Sequence, residues 1–172
     1  MSRDLRACIR DVPDFPTPGI LFRDITPLLA SPEAFSAAVV AMAEPFRDDP
    51  AEKIVGIEAR GFMFGAALAR ELGLGFVPAR KPGKLPRKTE RVSYGLEYGS
   101  GGLEVHADAF TPGEGVLIVD DVLATGGTAA AASELVERLG ARVTGLTFCI
   151  ELAALDGRSK LGGRPAHAVL VL

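Results

Sequence analysis

The chain is poor in several residue types, and each shortage excludes something. It has no tryptophan, two cysteines, two histidines and two tyrosines in 172 residues. Cys149 lies in the apolar stretch 145–150, so a reduced, buried thiol is expected there rather than a structural disulfide to Cys8. His106 and His167 are far apart and neither sits in a spacing such as HxxxH, so no histidine-built metal site is expected. Positive charge is not in excess: Lys and Arg number 19 against 22 Asp and Glu, a formal net charge of -3. No global field draws such a chain to nucleic acid, and any phosphate recognition has to be local. The longest run without a charged residue is 122–133, twelve residues, well short of the ~20 apolar residues that cross a bilayer. The first eleven residues, with Arg3, Asp4, Arg6, Arg10 and Asp11, lack the apolar stretch of a secretion signal. A cytoplasmic protein with neither a nucleic-acid nor a membrane partner is expected.

What is present suits one ordinary domain spanning residues 1–172. Hydrophobic residues make up 48% of the chain and charged residues 24%, outside the regime of disordered chains. Two short β-branched runs, 54–57 and 116–119, are apolar on both faces, as in strands buried between helices of a parallel sheet. Each ends in acidic residues and leads through a glycine-bearing turn to a helical stretch, 62–72 stopped by Gly73 and 129–139 stopped by Gly140. Further strands are expected at 75–79, 142–150 and 168–172, and a helix at 32–44 with Ser31 as its N-cap. This alternation predicts an α/β sheet with ligands at the carboxyl ends of its strands. Residues 80–102 read as one long irregular segment holding Arg80, Lys81, Lys84, Arg87, Lys88 and Arg91. Loops of that length are commonly lids or binding loops; a solvated basic hairpin is the other reading.

The sharpest signal is residues 116–128, VLIVDDVLATGGT. A buried strand delivers Asp120 and Asp121, and a turn then presents Ala124, Thr125, Gly126, Gly127 and Thr128 at a helix N-terminus. Unpaired N–H groups and the positive dipole end suit a phosphate monoester there. A Walker A loop is excluded because Gly127 is followed by Thr128 and Ala129 rather than by lysine, and no stretch fits GxGxxG. Two carboxylates upstream of a phosphate turn can accept hydrogen bonds from vicinal sugar hydroxyls or hold waters around Mg²⁺, and a ribose 5-phosphate satisfies both halves. On an extended strand neighbouring side chains leave on opposite faces, so Asp120 and Asp121 need not share one role.

That run resembles the signature of the type I phosphoribosyltransferases. Three more segments are similar to the adenine-using branch of that family, in the same order: 15–28 (FPTPGILFRDITPL), 56–65 (GIEARGFMFG), and 80–86 (RKPGKLP) continuing to 94–99 (YGLEYG). The resemblance covers nearly the whole chain and is weakest in the first dozen residues and after Leu155. It implies a central, mainly parallel sheet flanked by helices, a small base-binding hood formed by the N-terminal segment at about 15–28, and a mobile lid at about 80–102. The implied reaction is adenine plus phosphoribosyl pyrophosphate giving AMP and pyrophosphate, with Mg²⁺ bound mainly through the substrate and through water to Asp120 or Asp121.

Site residues follow from the same resemblance. Glu58, Ala59, Arg60 and Gly61 match the pyrophosphate loop, with a non-proline cis peptide implied at 58–59 or 59–60. Arg80, Lys81 and Lys84 match basic residues that meet the pyrophosphate, in part from a neighbouring subunit, which implies a homodimer. Glu97 and Tyr98 match the lid tip, where a glutamate serves proton transfer to the purine. Leu21, Phe22 and Arg23 match the base-binding segment, with Phe22 stacking on the purine, the backbone of Leu21 and Arg23 reading its edge, and Leu152 as the opposite wall. For Phe22 an ordinary core position is the alternative, because it follows Ile20 and Leu21. Two rivals stand beside this reading: a ligand-sensing DNA-binding regulator, which would need an appended helical module, and an enzyme of the same fold acting on another purine such as hypoxanthine or xanthine.

Overall fold

Burial of the β-branched runs on both faces sets the architecture. The computed structural model describes residues 4–48, 50–96 and 99–172. In chain order the elements are β1 (Arg10–Pro13), β2 (Leu21–Asp24), α1 (Thr26–Ala30), α2 (Pro32–Ala43), β3 (Lys53–Ile57), α3 (Arg60–Leu72), β4 (Gly75–Ala79), β5 (Thr89–Leu96), β6 (Gly99–His106), β7 (Gly115–Leu123), α4 (Gly127–Arg138), β8 (Arg142–Glu151) and β9 (Ala166–Val171). A five-stranded sheet in the order β4-β3-β7-β8-β9 is parallel throughout. β1–β2 and β5–β6 are separate antiparallel hairpins.

Two core layers flank the sheet. Ile54, Leu117 and Val119 pack with Phe64 and Leu68 of α3 and Met42 of α2, whereas Val55, Val116 and Ile118 pack with Leu135 and Val136 of α4. Each layer buries apolar residues that alternate along β3 and β7, as expected for strands covered on both faces. Helix boundaries follow local chemistry. The Ser31 hydroxyl accepts from the Ala34 N–H with Pro32 at the first helical position, and α3 stops at Gly73 in the left-handed conformation. Among the described residues no helix is long and apolar enough to cross a membrane.

The structure corrects three expectations. β7 does not end at Val119; it continues through both aspartates to Leu123, because the charge on Asp121 is matched inside the fold by Arg60. Both helices after the sheet's functional turns begin earlier than expected, at Arg60 and Gly127. Residues 80–102 are not irregular throughout. β5 and β6 pair in register from Thr89↔His106 to Leu96↔Gly99, and Val92, Leu103 and Val105 belong to the buried layer under α4. The base of the expected lid is thus part of the core.

Candidate active site

Three adjoining recesses open at the carboxyl ends of β3 and β7. The smallest, about 70 Å³, is lined by Asp120 and residues 122–129. Its floor is the turn into α4, where Gly126 adopts φ 79 as the helix N-cap and the first-turn N–H groups of Gly127, Thr128 and Ala129 point out of the helix. A β-carbon on Gly126 would fall 2.2 Å from the carbonyl oxygen of Gly157, so the turn is pressed backbone to backbone against the tail segment. The recess has room for one small anion and places amide donors and a helix dipole around it, chemistry that suits a phosphate.

The second recess, about 390 Å³, is apolar and lined by Ile20, Leu21, Phe22, Arg23, Val122, Leu152 and Leu155, with Arg60, Asp120, Asp121, Ala124 and Thr128 at its inner end. Its volume lies in the ~300 to 1,000 Å³ range of small-molecule sites. Ile20 and Leu21 are exposed, at 49% and 45%, and Phe22 is only half-buried, so this face of the β1–β2 hood is not core and is open to the recess. The Phe22 ring is set edge-on against Phe15 at 5.2 Å, and the Arg60 guanidinium lies 5.7 Å from its centre. Arg23 pairs with Asp11 across the hairpin. The far end of the expected hood segment, Leu28, is fully buried in the core.

The third recess, about 400 Å³, is lined by Glu58, Ala59, Arg60, Lys81, Tyr94, Leu103, Asp120, Asp121 and Thr128. The Glu58–Ala59 peptide is cis. Glu58 is the hub of this side. Its carboxylate accepts from the Lys84 Nζ at 2.6 Å and the Lys81 N–H at 2.8 Å, and the Arg80 Nε lies 3.5 Å away. Burial works to raise the Glu58 pKa, but the hydrogen bonds from Lys84 and Lys81 outweigh it and bring it to about 2. Arg60 donates to Asp121, whose side chain is 6% exposed. Burial opposes the charge on Arg60, and Asp121 more than restores it, so the guanidinium pKa is raised. Asp120 accepts from the Asp121 N–H at 2.9 Å. Its enclosure, and next the charge of Asp121, push its pKa well above the usual carboxylate value.

Most residues singled out in the sequence converge here. Lys81 lines the basic recess, while Arg80 and Lys84 are turned to Glu58. Gly61 does not face the recesses. A β-carbon there would come within 2.8 Å of the Val119 carbonyl oxygen and 2.9 Å of the Asp120 carboxylate, so its bareness lets α3 approach β7. Glu97 and Tyr98 lie outside the described residues. Sequence reasoning passed over Ile20, Leu155 and Tyr94. Tyr94 sits in the quoted YGLEYG segment, and the Thr128 hydroxyl reaches its oxygen at 3.4 Å. His106 has a buried Nε2 with no hydrogen-bond partner among the described residues.

Comparison with known proteins agrees with this geometry. Residues 28–169 match the model of the phosphoribosyl transferase domain family. The adenine phosphoribosyltransferase of Carboxydothermus hydrogenoformans is 62% identical over 161 residues, 94% of this chain and 95% of that protein. Among solved structures, that of the adenine phosphoribosyltransferase from Rhodothermus marinus superposes with a TM-score of 0.93 at 54% identity, covering 98% of this chain and 96% of that one. The Saccharomyces cerevisiae enzyme, solved with adenine and an imino-altritol bisphosphate, superposes at 0.92 with 44% identity, covering 98% of each chain. A phosphate turn, an apolar recess and a basic recess around one pair of aspartates, in a chain this similar over nearly its whole length, make it a member of the adenine phosphoribosyltransferase family.

Proposed function

We propose that the cleft transfers the 5-phosphoribosyl group of phosphoribosyl pyrophosphate to adenine, giving AMP and pyrophosphate, a purine-salvage reaction. One observation carries the reading: Asp120 and Thr128 line all three recesses at once. A ribose seated between them would direct its 5-phosphate to residues 124–128, its base to the apolar recess and its pyrophosphate to the basic one.

Displacement at the ribose C1 develops positive charge on the sugar and negative charge on the leaving pyrophosphate. Asp120 and Asp121 hold the ribose hydroxyls and face the developing cation, and Arg60, Lys81, Arg80 and Lys84 receive the leaving group. Arg60 exchanges Asp121 for a phosphate oxygen, which releases that carboxylate to the sugar. Phe22 stacks on the purine, the backbone of Leu21 and Arg23 reads its edge, and Leu152 with Leu155 forms the opposite wall. Glu97, beside Tyr98 at the lid tip, is the general acid or base at the purine. Closure of the tip of the 80–102 lid, beyond its buried base, over the exposed face of the hood excludes the water that would hydrolyse the activated sugar.

Magnesium is the proposed cofactor. Among the described residues no cluster of three or more His, Cys, Asp or Glu could hold a metal ion. Mg²⁺ keeps several waters and binds through one or two carboxylates plus substrate phosphates. Asp120 and Asp121 fit that mode, holding waters of an ion carried mainly by the substrate, and the bound ion would supply charge neutralisation to the pyrophosphate. We read the chain as a single domain acting as a homodimer in which basic residues of the 80–102 segment meet the pyrophosphate in part at a neighbour's site; sedimentation as a fully active monomer would overturn that. The cytoplasm is the proposed compartment, supported by the two free thiols, Cys8 and Cys149.

The test is formation of AMP and pyrophosphate in equal amounts from adenine, phosphoribosyl pyrophosphate and Mg²⁺. No AMP above the protein-free control would overturn the reading.

A further inference from the structure

The tail segment after β8, where the family resemblance is weakest, runs from one substrate recess to the back of another. Leu152 and Leu155 line the apolar recess. Two residues on, Gly157 is buried directly behind the phosphate turn. A β-carbon on Gly157 would lie 2.3 Å from the Ala124 carbonyl oxygen, 3.0 Å from the Leu123 Cδ1 and 3.1 Å from the Gly126 nitrogen. No side chain separates the two backbones, so the position of residue 157 dictates where the amides of the turn can sit.

That position is itself held by a forked ion pair between half-exposed Arg158 and buried Glu151. Glu151, 7% exposed at the end of β8, takes a forked contact from Arg158, with Nε donating to its two oxygens at 2.8 and 3.0 Å and Nη2 to one of them at 2.7 Å. The other arm of the guanidinium donates to the Ala166 carbonyl at the start of β9, at 2.8 Å. A two-pronged, charge-assisted contact fixes orientation as well as distance. Leu161, four residues past Gly157, is 1% exposed in the layer under α4 and closes the other end. The segment is clamped to β8, β9 and the core while its glycine bears on the turn.

We propose that Gly157 is a positioning residue for the 5-phosphate, with Glu151 and Arg158 as its clamp. Any side chain at 157 displaces the turn at 124–126, and the amides then miss the phosphate. The proposal deepens the functional reading above and rests on it, but it is tested separately by direct binding.

Ribose 5-phosphate binding is measured by calorimetry, and KM for phosphoribosyl pyrophosphate and for adenine by steady-state kinetics, on wild type, Gly157→Ala and Arg158→Lys. For Gly157→Ala, ribose 5-phosphate affinity should fall by at least about tenfold, since ångström-scale misplacement of a positioning group costs up to ~100-fold. KM for phosphoribosyl pyrophosphate should rise in parallel, KM for adenine should change by less than about twofold, and melting should stay cooperative. Arg158→Lys keeps the charge but loses the fork, and should show the same split at smaller size. Unchanged ribose 5-phosphate affinity in a cooperatively melting Gly157→Ala protein overturns the proposal. If that variant does not fold, Arg158→Lys decides: the split supports the clamp, and equal changes in both KM values overturn it. Wild type that binds ribose 5-phosphate but makes no AMP would sink the functional reading and leave the positioning claim standing.

Discussion

On the proposed phosphate side of the cleft the candidate binding groups are backbone amides of residues 125–128, in a turn whose Ala124 and Gly126 backbone is pressed against Gly157. On the pyrophosphate side they are cationic side chains already engaged, Arg60 by Asp121 and both Arg80 and Lys84 by Glu58. The first kind of site is ready before a ligand arrives. The second must exchange one counter-charge for another, so its net gain on binding is the difference between two ion pairs. The exchange is feasible because Arg60 and Lys84 are 50% and 47% exposed, and pairs with one solvated partner are weak enough to trade. Strong sugar-phosphate anchoring is therefore expected from the turn, and the carboxylates of the basic side should divide into one that matters greatly and one that matters little.

Asp121→Asn gives the largest expected effect. It leaves Arg60 without its partner and removes a charge that faces the developing ribose cation, so turnover should fall by one to three powers of ten, matching the ~2 to 4 kcal/mol of such contacts. Wild-type turnover in this variant would break the proposed division.

Asp120→Asn separates stability from activity. Enclosure and the neighbouring Asp121 raise the Asp120 pKa well above 3.8, so the folded chain keeps that proton at pH values where the unfolded chain has lost it. Stability from this group therefore falls as pH rises above the ordinary carboxylate range. Replacing it by asparagine should raise the neutral-pH melting temperature, by ~2 to 4 °C per kcal/mol regained, and flatten its decline with pH. A lower melting temperature would make Asp120 structural.

Glu58→Gln should have the smallest effect, a change of less than about fivefold in KM for phosphoribosyl pyrophosphate, because it removes pairs whose cations are partly solvated, Arg80 at 33% and Lys84 at 47%. The Glu58 pKa is depressed from 4.5 to about 2, so the stability it contributes is fully present above the ordinary glutamate range and is lost progressively as pH falls from there through about 2. Its carboxylate should add no inflection to a pH–rate profile between 5 and 9. An inflection that disappears in the glutamine variant would contradict this.

Legibility in the sequence followed the same division. Residues 54–57 and 116–119 announce buried parallel strands through β-branching alone, and residues 125–128 announce a turn into a helix because glycine and threonine at a helix start have local chemical meaning. Contacts set by distant partners were not legible. Charged Asp120 and Asp121 read as a strand end, yet β7 carries them inward because Arg60, sixty-one positions from Asp121, supplies the counter-charge. The glycines and prolines of 80–102 read as irregular, although Val92, Leu103 and Val105 give the β5–β6 hairpin a buried face. Gly157 looks like any tail glycine until β7 and β8 are set side by side. The cis peptide at Glu58–Ala59 came from the family resemblance, since nothing in residue type signals it.

The hood is proposed to read adenine through backbone groups while Phe22 supplies area, and the decisive measurement is catalytic efficiency for adenine, hypoxanthine and guanine on wild type and Phe22→Ala. A 6-oxo purine would leave two buried groups unpaired at ~1 to 3 kcal/mol each, so adenine should lead by at least about a hundredfold. Phe22→Ala should lose efficiency with adenine yet keep the same ranking. Equal use of hypoxanthine by the wild type, or a reversed ranking in Phe22→Ala, would contradict the account.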